Sequence, residues 1–231
     1  MSERPYVLLS CAASVDGYID DATDQRLLLS NDEDFDRVDD VRASVDAILV
    51  GANTIRQDNP RLLVRSEARR QGRRERGLPE SPIKVTFTAR GDLDPAAKFF
   101  TAGDVEKIVY CASPAVDKCR DTLGGVATVV DVGDPVQVTT ILHELASRGV
   151  ERLMVEGGGT VHTQFLTAGL ADELQLVIAP FFVGDPEAPR FVGPGAFHHH
   201  PANRMALAEV RPIGDVILAR YLMTTEKSVV A

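Results

Sequence analysis

The sequence predicts a single α/β domain over residues 1–231, with a mixed, mostly parallel central sheet flanked by helices and an antiparallel C-terminal hairpin. Two patterns indicate this class. Short apolar runs of strand type alternate with segments whose apolar residues recur at helical spacing. The last two strand candidates, at 206–210 and 215–221, alternate polar and apolar residues as in a hairpin. With 231 residues, 44% of them hydrophobic, the chain can bury a sizeable core.

The N-terminal part begins with strand and helix signals. Residues 6–13 are a compact apolar run that predicts a buried strand. Asp16 with Gly17 follows at the strand exit, where the carboxylate either faces a ligand or belongs to an ordinary Asp-Gly turn. Residues 31–42 open with a capping asparagine and three acids, which predicts a helix, and residues 45–50 predict a second buried strand.

Residues 67–81 contain five arginines, two glycines and one proline, and they are almost without apolar residues. This composition predicts a mobile surface loop rather than a binding segment. After this segment, predicted strands and helices alternate again up to the C-terminal hairpin. They comprise strands at 83–88, 107–112, 127–132 and 173–182, the last with Pro180 inside it at an edge or bulge, and a helix at 136–148.

Glycine turns follow two of the predicted strands. In the first, an apolar run ends at Glu156, three glycines follow at 157–159, and Thr160 opens a helical pattern. Glycines let a backbone approach a ligand closely, and unpaired N–H groups at a helix start favour an anion such as phosphate. The segment 51–54 is a similar turn after the strand at 45–50, and Pro60 ends the helical turn that follows it. Either turn alone could serve packing, but two together favour a shared ligand.

Charge and cysteine content exclude several classes of function. The net charge of −9 argues against general binding to nucleic acid or to an anionic membrane. The three cysteines are widely spaced, which is typical of a reducing compartment and predicts a soluble, cytoplasmic protein. No metal-ligand spacing occurs, and the adjacent histidines at 198–200 are interpreted as a surface loop. The dinucleotide fingerprint of glycines, the P-loop and the nucleophile elbow of hydrolases are also absent from the sequence.

Ordered motifs along nearly the whole chain resemble one family, the pyrimidine reductases of riboflavin biosynthesis. This family comprises the RibD/RibG C-terminal domain and its free-standing archaeal and fungal relatives. The resembling segments are 4–7 through 14–17, 41–54, 58–62, 156–160, 179–184 and 187–189.

The resemblance implies a dihydrofolate-reductase-like fold, a homodimer, and NADPH as the hydride donor. It also implies reduction of a ribosylamino-pyrimidine 5′-phosphate to its ribitylamino form, by hydride transfer to C1′ of the opened ribose. We add Arg90, whose guanidinium would pair with the adenosine 2′-phosphate and select NADPH over NADH. By motif position, the residues that line the cofactor are Gly51, Asn53, Thr54, Gly157, Gly158, Gly159 and Thr160.

The same resemblance assigns residues to the substrate. Asp58 and Glu156 match the acids of the pyrimidine pocket and are the candidate catalytic residues, since carboxylates accept hydrogen bonds from ring N–H and amino groups. Ser30, Arg42 and Arg65 match the positions that hold the ribose phosphate. The reaction needs a proton for the developing amine, and either Asp58 or water supplies it.

Two departures from the family pattern leave the pyrimidine open. Ser10 stands on the first strand where bacterial enzymes acting on the deaminated substrate carry lysine, and Thr88 with Ala89 replaces a common Asp-Ser pair. Two alternatives therefore stay open: a reductase of the same fold acting on a pterin-like or specialised substrate, or a nucleotide-binding module without turnover. The fold resemblance also predicts a cis peptide bond between Gly157 and Gly158.

Overall fold

The structure is a computed structural model that describes residues 3–23, 25 and 27–223. Its described residues fall into two compact units, of which the first comprises residues 3–5 and 37–154 and the second the described residues within 6–36 and 155–223. The strands are β1 (Tyr6–Ser14), β2 (Ala47–Gly51), β3 (Ile83–Thr88), β4 (Lys107–Cys111), β5 (Thr128–Asp131), β6 (Arg152–Gly157), β7 (Glu173–Ala179), β8 (Ala206–Ile213) and β9 (Val216–Leu222). The helices are α1 (Asp32–Ala43), α2 (Ala52–Asp58), α3 (Glu67–Glu75), α4 (Lys98–Thr101), α5 (Val116–Leu123), α6 (Val138–Ser147) and α7 (Gly159–Thr167).

The first unit contains a parallel ladder in the order β5-β4-β3-β2. Every residue of β2 is buried, as a strand covered on both faces requires. The register places Gly51 opposite Phe87 and Thr88 opposite Cys111, so that neighbouring strands end close to one another. The carboxyl ends of parallel strands are where such sheets present loops to ligands.

The second unit contains β1 and β7 in parallel, followed by β9 and β8 in antiparallel pairing. Glu173 is only 3% exposed, and it joins the first three of these strands. Its carboxylate accepts hydrogen bonds from the Tyr6 hydroxyl of β1 at 2.9 Å and from the Arg220 guanidinium of β9 at 2.5 Å. Burial raises the pKa of Glu173, but the hydrogen bonds from Arg220, Gln175 and Tyr6 outweigh it and the net pKa is lowered.

The predicted fold class is confirmed, because most strand pairs are parallel and the antiparallel pairing lies at the C-terminal end. Strand β3 has the predicted bounds, and strand β7 ends at Ala179, so that Pro180 lies just beyond the strand. Helices α4 and α5 were not predicted. The prediction of one domain over the whole chain stays a prediction.

The predicted mobile loop at 67–81 is wrong, since its first part forms helix α3. Ser66 caps this helix by accepting a hydrogen bond from the Arg69 amide at 3.4 Å. Glu67 in the first turn accepts one from Arg74 at 2.7 Å. Ion pairs and a cap therefore stabilise a helix that composition alone does not reveal.

Arg73 of α3 is 1% exposed, which is unusual for an arginine. Its Nη1 donates to the carbonyl oxygens of Ala43 at 3.0 Å and Val45 at 2.8 Å, and its Nε donates to that of Pro79 at 2.7 Å. The guanidinium thus satisfies three carbonyls at the end of α1 and after α3. An apolar side chain there would remove the guanidinium donor from all three carbonyls, although that of Ala43 also accepts from Arg76 Nη2 at 3.1 Å.

We expect the substitution Arg73→Met to destabilise the protein by about 1–3 kcal/mol, because it leaves buried carbonyl groups unpaired. Chemical denaturation would measure the change in the free energy of unfolding. The matched control is Arg120→Met, whose side chain is 54% exposed and lies 3.7 Å from Asp117. An exposed pair of this kind contributes roughly 0–1 kcal/mol, so equal losses in both variants would contradict the structural role of Arg73.

Candidate functional site

In the first unit, the predicted cofactor residues lie where β2 turns into α2. Gly51 ends β2, and α2 begins at the next residue. Asn53 is exposed and donates from Nδ2 to Gln57 Oε1 at 2.8 Å, while Thr54 is half-buried. The predicted strand-to-helix turn is therefore present, and the role of these three residues in binding the cofactor stays a prediction.

Asp58 is the last residue of α2, and its side chain is exposed. Asn59 ends the helix in the left-handed conformation with φ 44°. Asparagine tolerates this conformation because its short polar side chain can bond locally. Its Oδ1 accepts a hydrogen bond from the Lys98 amide at 2.6 Å, so the helix end is tied to α4. This tie sets the place at which α2 presents the Asp58 carboxylate.

Arg42 and Arg65 lie in the same part of the first unit. Arg42 is in the last turn of α1, and its Nη1 donates to the Leu63 carbonyl oxygen at 3.3 Å. The Arg65 amide donates to Asp39 Oδ1 at 2.5 Å, and its side chain is 59% exposed. The helix therefore holds the segment that carries Arg65, and the two arginines share one region, as a common anionic ligand would require.

Asp39 of α1 organises this region, although sequence reasoning did not single it out. It is 2% exposed, and it accepts the amides of Arg65 and Ser66 and the Arg69 guanidinium, the last two at 3.0 Å. Burial raises the pKa of Asp39, but the two amides and the guanidinium outweigh it, and the net pKa lies below the ordinary value of 3.8. Asp39 is therefore ionised at neutral pH and locks the residues before α3 onto α1.

In the second unit, β6 turns into α7 through glycines with positive φ, 147° at Gly157 and 90° at Gly158. A Cβ on Gly157 would meet no atom within 4 Å, so the space above this residue is open. Gly158 precedes the helix and provides no side-chain cap for the first-turn N–H groups of α7. An open backbone next to uncapped N–H groups fits a phosphate ligand.

Gly159 has a different reason to be glycine. A Cβ there would lie 2.2 Å from the Arg190 carbonyl oxygen, a distance that real atoms do not adopt. The loop carrying Arg190 thus packs against the first residue of α7. The Arg190 guanidinium stacks 4.2 Å from the centre of the Tyr18 ring and donates to the Tyr18 hydroxyl at 2.6 Å. Packing, rather than ligand approach, accounts for this one of the three glycines.

The predicted cis bond between Gly157 and Gly158 is wrong. Among the described residues, the cis peptide bond is that between Asp134 and Pro135. The positive φ angles at 157 and 158 already turn the trans backbone from strand to helix, and glycine adopts such angles without steric cost.

The remaining candidates of the second unit are Ser30, Glu156 and Thr160. Ser30 donates to the buried Asp34 at the start of α1, and Asn31 caps that helix by accepting the Asp34 amide at 3.0 Å. Glu156 lies on β6 one residue before the glycines and is half-buried, and Thr160 is exposed in the first turn of α7. That the turn after β6 and the turn after β2 bind one shared ligand stays a prediction.

Asp16 follows β1 in the same unit and has a structural partner set. Its carboxylate accepts the Ser14 hydroxyl at 2.6 Å and the amides of Val183 and Gly184 at 3.1 and 2.8 Å. These bonds connect the exits of β1 and β7. The sequence left open whether Asp16 faces a ligand or belongs to an ordinary turn. The structure supports its role as a turn residue.

Within the described part of the chain, no helix is long and apolar enough to cross a membrane. The same residues contain no group of three or more histidine, cysteine, aspartate and glutamate side chains that could hold a metal ion.

His162 of α7 is 1% exposed, and burial lowers its pKa to about 4. This imidazole is therefore neutral at physiological pH and belongs to the packing between α7 and Phe191, whose ring centre is 5.2 Å away.

Residues 5–219 match the family described as the RibD C-terminal domain. The chain belongs to this family. A similar protein from Archaeoglobus fulgidus is 35% identical over 187 residues, which cover 80% of this chain and 85% of the relative. One from Methanothermobacter thermautotrophicus is 32% identical over 219 residues, covering 94% and 98%. Both relatives are named 2,5-diamino-6-ribosylamino-4(3H)-pyrimidinone 5′-phosphate reductase.

Solved structures of RibD-type proteins confirm the dihydrofolate-reductase-like fold. A pyrimidine reductase-like protein from Corynebacterium diphtheriae has a TM-score of 0.80 at 22% identity, with 96% of this chain and 93% of that chain covered. A deaminase/reductase from Thermotoga maritima has a TM-score of 0.78 at 24% identity, with 96% of this chain and 57% of that chain covered. Membership of the RibD C-terminal domain family therefore rests on sequence, and the fold rests on both comparisons.

We expect Asp39→Asn to lower the free energy of unfolding at pH 7 by about 1–3 kcal/mol, since an amide cannot accept from all three donors. The folded-state pKa of Asp39 is depressed, so its stabilisation is present above the ordinary pKa of 3.8 and is lost as pH falls through the folded value. Urea titrations at neutral pH and at pH values below 3.8 would measure this difference. It should shrink in acid.

The control is Asp40→Asn, because Asp40 is 72% exposed and also pairs with Arg69, at 3.2 Å. Its effect should be small at every pH. A loss for Asp39→Asn that persists unchanged in acid would contradict the role of its charge.

Proposed function

We propose that this protein is an NADPH-dependent reductase of riboflavin biosynthesis that converts a ribosylamino-pyrimidine 5′-phosphate to its ribitylamino form. Membership of the RibD C-terminal domain family supports the reaction class, and the names of the archaeal relatives support the pyrimidinone phosphate as substrate class. The proposal also places the protein in the cytoplasm, as one domain and as a homodimer.

The observation that carries the cofactor proposal is the turn from β6 into α7. Gly157 leaves open space above its Cα, and α7 begins without a side-chain cap at Gly158. In the proposal the cofactor pyrophosphate binds here, with Thr160 beside it, and the helix start stabilises its negative charge. In the first unit, Gly51, Asn53 and Thr54 line the cofactor from the turn into α2.

When bound, NADPH supplies the hydride that reduces C1′ of the opened ribose. The protein side chains bind and orient the substrate. Asp58 and Glu156 accept hydrogen bonds from amino and ring N–H groups of the pyrimidine. Arg42 and Arg65 bind the substrate phosphate, since guanidinium groups match its geometry, and Ser30 adds a hydroxyl donor. Asp58 or a water molecule protonates the developing amine.

Consumption of NADPH by the purified full-length chain would test this function. The substrates are the deaminated and the undeaminated ribosylamino-pyrimidine 5′-phosphates, each supplied separately. Oxidation of NADPH with formation of the ribitylamino product from either substrate is the expected result, and the preferred substrate identifies the pyrimidine. NADPH binding without turnover of either one would refute the proposal and favour another substrate or a module without turnover.

We expect Asp58→Asn to lower kcat by about 100-fold, because an amide neither carries the charge nor transfers the proton, while NADPH affinity changes less than about threefold. Steady-state kinetics and NADPH titration by fluorescence would separate the two effects. Asp117→Asn is the control, since Asp117 has a 99% exposed side chain on α5. Equal losses of turnover and NADPH affinity in Asp58→Asn would instead place Asp58 at the cofactor.

One face of the β8–β9 hairpin supports the homodimer. Leu207, Val210 and Ile217 are 60%, 58% and 47% exposed, and cross-strand register places all three on the same face. Exposed apolar side chains that share a surface commonly mark a protein interface. A twofold axis would bring this face against its copy, because a self-complementary surface suffices for a symmetric dimer.

We expect the double variant Leu207→Glu/Ile217→Glu to be monomeric at concentrations at which the wild-type chain is dimeric, because the interface would bury like charges. Sedimentation equilibrium would measure the mass. Val126→Glu is the control, since Val126 is 38% exposed and lies in the first unit. A wild-type monomer, or a dimeric double variant, would exclude this interface.

A further inference from the structure

Strand β3 carries a buried polar side chain near each of its ends. Near the C-terminal end, Thr88 Oγ1 accepts the Arg90 amide at 3.2 Å. The side chains of Arg90 and Arg56 lie 3.7 and 3.0 Å from Asp92 there, and the role of Arg90 at the cofactor stays a prediction. Near the opposite end, Lys84 is 0% exposed, and the function proposed above gives it no role.

Lys84 donates hydrogen bonds inside the core. Its Nζ donates to the carbonyl oxygens of Phe99 at 3.0 Å and Ala102 at 2.6 Å, and it lies 5.9 Å from the centre of the Phe99 ring. Burial, followed by the charge of Lys107, lowers the pKa of Lys84 to about 8, so at pH 7 the side chain is still mostly an ammonium group. Lysine is almost never fully buried unless its charge has partners, and here carbonyl oxygens are those partners.

The two carbonyls lie at the end of α4. This helix is a single turn, Lys98–Thr101, and Ala102 is its C-terminal cap residue. A helix of one turn has little stability of its own, and its last carbonyls have no donors within the helix. Phe99 and Phe100 are 0% and 3% exposed, so their rings anchor the helix in the core. Lys84 supplies the missing donors and thereby ties the end of α4 to β3.

Helix α4 contacts both ends of residues 59–63, here called the substrate turn. The Lys98 amide donates to Asn59 Oδ1 at 2.6 Å. Just beyond α4, a Cβ on Gly103 would lie 2.5 Å from Leu63 Cδ2, so the Leu63 side chain packs directly against this glycine. The start and the end of the substrate turn therefore both lie against α4 and the residues that follow it.

The substrate turn contains two non-glycine residues in the left-handed region, with φ 44° at Asn59 and 48° at Leu62. Asparagine tolerates this region, but leucine seldom adopts it, because its Cβ comes too close to the backbone. Such a conformation persists only where the surrounding structure enforces it. The turn connects Asp58 to Arg65, so the places of these two proposed substrate residues depend on it.

We propose that Lys84 is a positioning residue for the reductase: by capping α4 it holds the substrate turn in place, and so sets Asp58 and Arg65 relative to each other. This inference rests on the proposed function, in which Asp58 accepts hydrogen bonds from the pyrimidine and Arg65 binds the phosphate of the same molecule. A small displacement between the two would misplace C1′ for the reaction, and such misplacements are costly to catalysis. Lys84 is buried against α4 and acts through this helix.

Steady-state kinetics of Lys84→Met would test this role, because methionine keeps most of the side-chain length and removes the donor. The purified full-length chain is assayed with NADPH and with each of the two pyrimidine phosphates, well below its melting temperature. We expect KM for the preferred substrate to rise about tenfold and kcat to fall about tenfold, while the NADPH affinity stays within about twofold. A variant that is only partly unfolded would instead lose kcat and NADPH-binding sites in equal proportion, at unchanged KM.

Hydrogen exchange followed by mass spectrometry would test the same step without any substrate. We expect the amides of 59–65 and 98–103 to exchange at least about tenfold faster in Lys84→Met. The matched control is Lys107→Met, since Lys107 of β4 donates from Nζ to the Gly103 carbonyl oxygen at 3.1 Å, next to α4 but in an exposed hydrogen bond. Water can replace that donor, so kinetics and exchange should stay within about twofold of the wild type.

Asn59→Gly tests the contact between α4 and the substrate turn independently. Glycine adopts a φ of 44° without steric cost, so the change removes the Oδ1 acceptor and spares the backbone conformation. It should raise KM as Lys84→Met does, and the two losses should be less than additive in the double variant, because both changes loosen the same helix. If Lys84→Met does not fold, Lys84→Gln takes its place, since glutamine keeps a polar group in the buried site on a shorter side chain.

Faster exchange of the substrate turn, together with the combined change in KM and kcat, would support the inference. Unchanged exchange there, or the same exchange in the Lys84 and Lys107 variants, would overturn it. So would kcat and KM that stay at wild-type values per NADPH-binding site. If the wild-type chain reduces neither pyrimidine phosphate, the proposed function fails, and the exchange measurement alone decides whether Lys84 holds the substrate turn.

Discussion

Parallel strand pairing is the constraint on which the candidate site of the first unit depends. Strands β2 to β5 run in one direction and in close register, so each strand must release its chain at the same edge. The turns after Gly51 and Thr88 are neighbours for this reason alone. Backbone hydrogen bonds fix the register, and a slip of one residue would turn every buried side chain of β2 towards the opposite face. The ladder thus fixes the positions of polar side chains at its edge, although these side chains contribute little to the stability of the ladder itself.

Buried polar side chains hold the segments between the regular elements. Arg73 donates to three carbonyls around α1 and α3, Asp39 accepts two amides and a guanidinium, and Glu173 joins three strands of the second unit. Each of these groups is at most 3% exposed and has several partners. A buried charge is costly without partners, so each network holds its surroundings in one arrangement. Such networks fix the positions of the loop that carries Arg65 and of the helix end that carries Arg42.

The glycines after Glu156 have two different roles, ligand approach and loop packing, which the motif alone does not distinguish. Gly157 has positive φ and open space, which suits close approach of a ligand. Gly159 has no such space, because the Arg190 carbonyl oxygen occupies the place of a side chain. In the proposed function, the first glycine accommodates the cofactor and the third lets the loop at Arg190 pack onto α7. In that proposal, the helix start that binds the cofactor pyrophosphate also depends on a packing contact from a distant part of the chain.

The sequence by itself determined the α/β class, most strands, and the two glycine turns at strand ends, because apolar periodicity and glycine positions are local properties. It also determined the family, because the family's motifs occur in order along the chain. It could not predict α3, since that helix is stabilised by a cap, ion pairs and a buried Arg73 rather than by an apolar stripe. Only the tertiary structure decided which arginines converge on Asp92 and why Gly159 has no side chain. Arg56, Arg90 and Asp92 meet through strand register, and Gly159 meets Arg190 through loop packing, so both depend on contacts between residues distant in sequence.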